Sequence, residues 1–236
     1  MMLETFLALL VAHLLADFVF QTNAMVREKR RLDVFASHVA VVGAASLFGL
    51  GGDWQPALVI TVAHAIIDAL KTYALPARQA ARLWAFLTDQ IAHFATIFWV
   101  ALLWPLSFVH GIWGFATPHM AGPAILIAGF LIATFMGGPI VGGLMGRFPQ
   151  SFAIQGLKNA GRMIGVLERA FVFFLILFDS PIGIGFLLTA KSVLRFDTTR
   201  KGQRASEYVI IGTLASFGWA MGVAFLTKEA LALLTP

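Results

Sequence analysis

Long apolar runs recur along the whole chain, and the polar residues that interrupt them fall at regular positions. A helix of about 20 apolar residues matches the hydrocarbon core of a bilayer. Such stretches can be laid out at about 3–21, 33–50, 56–75, 83–104, 122–146, 161–178, 181–196 and 206–234. The pattern predicts an all-α fold: a polytopic transmembrane helical bundle of about eight spans. A transmembrane barrel would need alternating segments of about ten residues, and the sequence has no such series.

The interruptions are themselves patterned. Leu9–Gln21 (LLVAHLLADFVFQ) carries His13 and Asp17, and Ile60–Lys71 (ITVAHAIIDALK) carries His64 and Asp68, four residues apart in each case. Ala85–Trp99 (AFLTDQIAHFATIFW) carries Asp89 and His93 in the reverse order. Four residues is about one helical turn, so each pair shares a helix face. Ionisable groups at membrane depth are costly and mark functional positions.

An internal repeat accompanies them. A shift of 51 residues lays Val11-Ala12-His13 on Val62-Ala63-His64, Asp17 on Asp68, Arg27 on Arg78 and Arg31-Leu32 on Arg82-Leu83. Phe35 then falls on Phe86, and His38 on Asp89. The first four spans therefore read as two parallel copies of one helical hairpin, an arrangement that places a site where the copies meet.

Composition sets the class. Of 236 residues, 59% are hydrophobic and 12% charged, with a mean hydropathy of +0.83, which is too apolar for a soluble domain. One integral membrane domain is expected over 1–236. Its residues 1–104 form the repeated hairpins with the His/Asp residues, and 122–236 form C-terminal helices. The absence of cysteine excludes disulfides and thiolate metal sites. The first apolar run does not read as a cleaved signal, because it lacks a basic leading segment and carries Glu4, His13 and Asp17.

The net charge of +5 is one of orientation. Arg27, Lys29, Arg30 and Arg31 follow the first span, and Lys71, Arg78 and Arg82 follow the third. Arg147, Lys158 and Arg162 follow the fifth, while Lys191, Arg195, Arg200, Lys201 and Arg204 surround the last connection. The intervening loops have no Lys or Arg, and only Arg169 and Lys228 stand outside the pattern. By the positive-inside rule the basic loops face the cytoplasm and both termini lie outside. The partner this implies is membrane lipid, not nucleic acid.

Depth converges with spacing. In that topology Asp17, Asp68, Asp89 and His38 share one shallow layer at the cytoplasmic side, with His13, His64 and His93 one turn deeper. Four imidazoles and three carboxylates suit a divalent ion such as Zn, Mn or Fe, one ion or two bridged by an aspartate. A proton relay and a structural polar network use the same residue types and stay open. Gln21 and Gln90 either orient ligands or bond between helices. Lys71, on nearly the same face as Asp68, either contacts an anionic substrate or snorkels to the headgroups. Gly138, Gly142 and Gly146 form a stripe for close helix approach, and Pro139 predicts a kink.

The second half carries Glu168-Arg169, Lys191, Ser192, Arg195 and Glu207-Tyr208. One reading is local pairing, with Glu168 or Glu207 against Arg195 or Lys191. The other makes Glu168 a catalytic general base, with Arg169 and Lys191 binding a substrate anion.

The motifs HLLADFVFQTNAMVREK, HAIIDALK, FLTDQIAH, GRMIGVLERA, GFLLTAKSVLRF and EYVIIGTLASF resemble a bacterial membrane family catalogued as a domain of unknown function (number 3307). The resemblance implies a location in the bacterial inner membrane and brings no activity with it. There is a looser similarity, in residue types only, to bacterial membrane-bound metal-dependent hydrolases. Together these observations lead to the expectation of metal-assisted hydrolysis of a lipid-linked or phosphorylated substrate. A metal or proton-coupled transporter and a structural membrane subunit are the alternatives.

Overall fold

The computed structural model describes residues 1–148, 160–194 and 203–234. Lys158, Arg195, Arg200 and Lys201, which belong to the basic pattern, lie outside these residues. No strand occurs among the described residues. The chain forms two compact units, Met1–Ala128 and Gly129–Pro236.

The first unit opens with α1 (Met2–Leu15), whose last turn is π-helical over Ala16–Phe20. A short α2 (Asn23–Glu28) follows, started by Thr22, whose hydroxyl accepts the Met25 backbone N–H at 3.2 Å. Next come α3 (Leu32–Gly49) and α4 (Trp54–Ala69), the latter again ending in a π-helical turn, Leu70–Ala74. A single turn, α5 (Ala77–Ala80), leads into α6 (Leu83–Leu103), and α7 (Ser107–His110) and α8 (Thr117–Leu131) follow.

Helices α1, α3, α4 and α6 close into a ring: α1 packs on α3 and α6, and α4 packs on the same two. Sequence periodicity explains which faces turn inward. On α4 the buried positions are Ala57, Ile60, His64 and Asp68, while Leu58, Val62, Ile66 and Leu70 are exposed. Buried residues three and four apart make one inward stripe, and the apolar outward stripe is the kind of surface that meets lipid. At the far end from the polar residues, Ala8, Leu9, Leu50, Ala57, Ile60, Ile97, Val100 and Phe108 form a packed apolar core. The α3–α4 turn runs through Gly51 at φ +63°. A side chain there would also meet Ile112 N at 2.6 Å, so only glycine fits.

In the second unit the chain continues from α8 through a π-helical turn, Ile132–Met136, into α9 (Gly137–Met145). Then come α10 (Ala160–Leu177), α11 (Ile182–Leu194) and α12 (Gln203–Ala232). Its core joins Ala133, Val172, Phe173, Ile176, Ile184, Phe217, Ala220 and Ala224.

Six helices among the described residues are long and apolar enough to cross a membrane: Met2–Phe20, Leu32–Gly49, Trp54–Ala74, Leu83–Leu103, Gly114–Met145 and Ser206–Ala232. The expected count of eight differs for two reasons. The stretch at 161–178 is helical but carries Arg162, Glu168 and Arg169, and the apolar helix at Ile182–Val193 is too short. The glycine stripe differs as well. Gly142 faces open space among the described residues, whereas a side chain at Gly137 would meet Trp219 at 2.7 Å and Arg169 Cδ at 3.0 Å. The irregularity expected at Pro139 takes the form of the π-helical turn just before it.

Candidate metal centre

The polar chamber is built entirely within the first unit. His13 and Asp17 of α1, His38 of α3, His64 and Asp68 of α4, and Asp89 and His93 of α6 lie on the inward stripes of their helices, so the ring of four helices brings them together. His13, His38, His64, Asp68, Asp89 and His93 are all buried. Asp17, in the π-helical turn of α1, is 8% exposed. Such turns re-aim a side chain relative to a regular helix and recur at functional sites.

Four atoms stand closest. Asp17 Oδ1 lies 3.3 Å from His38 Nε2 and 3.5 Å from His64 Nε2. Asp68 Oδ2 lies 3.3 Å from His38 Nε2 and 3.4 Å from His64 Nε2. The two imidazole nitrogens are 3.2 Å apart. Around an ion bound tetrahedrally at about 2.0–2.1 Å, ligand atoms are separated by about 3.3 Å. These five separations therefore have the spacing of ligands sharing one ion.

The remaining members wrap this group. His93 stacks on His64 with ring centroids 4.1 Å apart, and His13 lies 4.9 Å from His93 and 5.6 Å from His64. His13, His64 and His93, the imidazoles expected to share a layer, thus lie beside one another, with His64 also in the central group. His93 Nε2 lies 3.7 Å from Asp89 Oδ1. Gln90 ties the group together: it accepts from His13 Nε2 at 3.2 Å and donates to Asp89 Oδ2 at 3.2 Å and Asp17 Oδ2 at 3.4 Å. Gln21 Nε2, by contrast, is buried with no hydrogen-bond partner among the described residues.

Two ammonium groups sit at the rim. Lys71 Nζ donates to Asp89 Oδ2 at 2.9 Å and lies over the Phe86 ring. Lys29 Nζ pairs with Asp68 Oδ2 at 2.6 Å. Lys71 was among the residues singled out by sequence, and Lys29 was counted only with the basic loop. Its signal was faint, since Lys29 belongs to a connecting segment and reaches the site by tertiary placement.

The donor set fits a divalent ion. Asp17 Oδ1, Asp89 Oδ1 and His93 Nε2 are buried without a hydrogen-bond partner among the described residues, which is costly unless something else satisfies them. His13, His64 and His93; Asp17, His38 and His64; and Asp68, Asp89 and His93 each offer ligand atoms within 4.8 Å of one another. These buried clusters could hold a metal ion.

Residues 5–113 match the family model described as protein of unknown function (DUF3307). That range contains all seven His and Asp residues of the chamber together with Lys29, Lys71 and Gln90. The residues matched by that model and the first compact unit thus overlap over the whole site. No curated protein and no solved structure matches the chain.

Glu168, Arg169 and Lys191 belong to the second unit. Lys191 Nζ donates to Glu168 Oε2 at 2.7 Å and lies over the Phe217 ring. The buried Arg169 donates from Nε and Nη2 to the Thr134 carbonyl at 3.0 and 2.7 Å, and from Nη1 to Ser216 Oγ at 3.3 Å. Thr134 lies five residues before Pro139, whose missing N–H cannot serve that carbonyl in a π-helical turn. Trp219 Nε1 donates in the same way to the Ile132 carbonyl at 3.0 Å.

Proposed function

We propose that this chain is an inner-membrane metalloprotein of bacteria that hydrolyses a lipid-linked or phosphorylated substrate at a cytoplasm-facing divalent metal centre. In this reading Asp17, His38, His64 and Asp68 hold one ion. The observation that carries it is the set of five separations of 3.2–3.5 Å among their four facing atoms. Charge favours one ion over two. Three carboxylates against two ammonium groups leave one negative charge, and two dications would strand several positive charges at membrane depth.

When bound, the ion supplies Lewis-acid polarisation of the scissile bond and a lowered pKa for water, to about 7. The chain supplies the rest. His93 Nε2, set beside Asp89 and stacked on His64, accepts the proton of the attacking water. Gln90 fixes the orientation of His13, Asp17 and Asp89. Water oxygen adds to the phosphorus or acyl carbon, the ester bond to the leaving oxygen breaks, and that oxygen takes the proton. This reading assigns no role to Glu168, Arg169 and Lys191, which bond one another, Thr134 and Ser216 within the second unit.

One-sided access favours hydrolysis over transport. The apolar core around Leu9, Ile60, Ile97 and Phe108 closes the end of the bundle at which α1 begins. The opposite end carries the half-exposed segment with Lys29, and α3, α4 and α6 pass the chamber without a break at their His and Asp residues. A transporter needs broken helices and access to both faces. The recurring order of π-helical end, short helix and new helix at Leu32 and again at Leu83 supports two copies of one hairpin, 51 residues apart. In the membrane the basic loops face the cytoplasm and both termini lie outside.

The experiment is turnover by purified protein in nanodiscs, loaded with Zn²⁺ or Mn²⁺ and offered phosphomonoester and phosphodiester lipids. Product release that stops on chelation and in Asp68→Asn is expected. Loaded protein that releases no product, or release indifferent to both treatments, overturns hydrolysis.

A further inference from the structure

Two lysines reach the chamber, and their chemistry bears on what it accepts. Lys29 Nζ is on Asp68 and Lys71 Nζ on Asp89, and these lysine side chains are 18% and 24% exposed against 2% and 4% for their carboxylates. They are the lysines that pair with the chamber's carboxylates among the described residues. Each ammonium has three N–H donors; Lys71 gives one to Asp89, and Lys29 stands in ion-pair contact with Asp68, which leaves donors to spare on both.

The charge of the loaded site follows from the side chains that reach it. His38 and His64 bind a metal as neutral imidazoles, His93 acts as a base only when neutral, and His13, bonded to Gln90, is counted neutral with them. Three carboxylates, two ammonium groups and one divalent ion leave a single positive charge. The chamber is buried, and a lone charge there is unfavourable unless paired. The loaded chamber is therefore complementary to a monoanion. Hydroxide would balance the charge, but its single oxygen cannot engage an ion and two separate ammonium groups together. A phosphodiester can, because it carries one negative charge over two free oxygens. It is also the charge form of the phospholipid headgroup, at the depth where lysines at helix ends meet the membrane surface.

We propose that Lys29 and Lys71 bind the phosphodiester monoanion of a substrate and hold it at the metal centre, which makes them the residues that select substrate charge. This rests on the metal reading above, and the test separates the two.

Mn²⁺-loaded protein in dodecyl maltoside micelles is mixed with dimethyl phosphate, or with phosphatidylglycerol doped into the micelles, and the ³¹P linewidth is followed. Saturable broadening of either probe is expected, falling at least tenfold in Lys29→Met and in Lys71→Met and kept in the Lys29→Arg/Lys71→Arg protein. Broadening of phosphatidylglycerol alone assigns a lipid source, and broadening of dimethyl phosphate assigns a soluble one. Bound Mn²⁺ with no broadening, equal broadening in the methionine variants, or stronger broadening of ¹³C-acetate than of either phosphodiester overturns the proposal. Failure to bind Mn²⁺ at all overturns the metal reading instead.

Discussion

His38 Nε2 and His64 Nε2 come from different helices, 26 residues apart in the chain, and face one another at 3.2 Å with a carboxylate oxygen of Asp17 and of Asp68 beside both. One ring can donate to the other in an ordinary hydrogen bond, which occupies one lone pair and leaves the two carboxylate oxygens beside it to be satisfied. They gain much from sharing a cation. The helices that carry them are held in place by inward stripes that continue into the apolar core, so the geometry is set by the bundle and not by loops.

Binding an ion at this group should stabilise the fold, because the unfolded chain has no such site. At about 100 times the dissociation constant, stabilisation of about 2.7 kcal/mol is expected. Thermal unfolding of wild-type protein in detergent should shift upward on adding Zn²⁺ or Mn²⁺ and return on chelation. Asp68→Asn should show no shift.

Gln90 touches no proposed ligand atom of the central group directly, yet it bonds His13, Asp17 and Asp89. Loss of such an orienting residue weakens metal binding by about 10- to 100-fold. Gln90→Ala should show this in competition with a chromophoric chelator while its helical circular dichroism stays unchanged.

Lys29 competes with any cation for Asp68 Oδ2, at 2.6 Å. Lys29→Met should therefore bind divalent ions more tightly than wild type. Its metal-free form should be less stable by about 3–5 kcal/mol, the cost of a buried carboxylate without its partner. Paired denaturation curves with and without metal would show the two effects with opposite sign.

Arg169 makes a prediction of a different kind. Its guanidinium serves the Thr134 carbonyl that Pro139 cannot. Arg169→Met should destabilise the protein by about 1–3 kcal/mol, the cost of an unsatisfied buried polar group. Adding Pro139→Ala, which restores a backbone donor, should recover part of that loss. Metal content should be unchanged in both. A variant that unfolds no earlier than wild type would show that the carbonyl finds another donor.

Six of the chamber residues were legible in the sequence because they form His–Asp pairs four residues apart within apolar runs, with the order in α6 reversed as its direction is, and His38, alone on α3, was legible from its depth and its place in the repeat. The same logic could not find Lys29. Spacing relates residues along one helix, whereas Lys29 reaches Asp68 from a connecting segment placed by tertiary packing. The glycine stripe misled for a physical reason. A π-helical turn at Ile132–Met136 breaks the regular period, so the face that meets Trp219 and Arg169 begins at Gly137 instead of Gly138. Of the eight stretches expected to span, 161–178 carries Arg162, Glu168 and Arg169, and in 181–196 the described helix runs for 13 residues, so six helices among the described residues are long and apolar enough to cross. Glu168 and Lys191 pair locally, as one of the two sequence readings had it.

Elemental analysis of purified protein is the most direct measurement of the central claim, with His64→Ala and Asp68→Ala prepared in parallel. About one divalent transition-metal ion per wild-type chain is expected, and almost none in either variant after the same chelating wash. Equal metal content in all three proteins, or none in wild type after loading and washing, would contradict a metal centre built from these side chains.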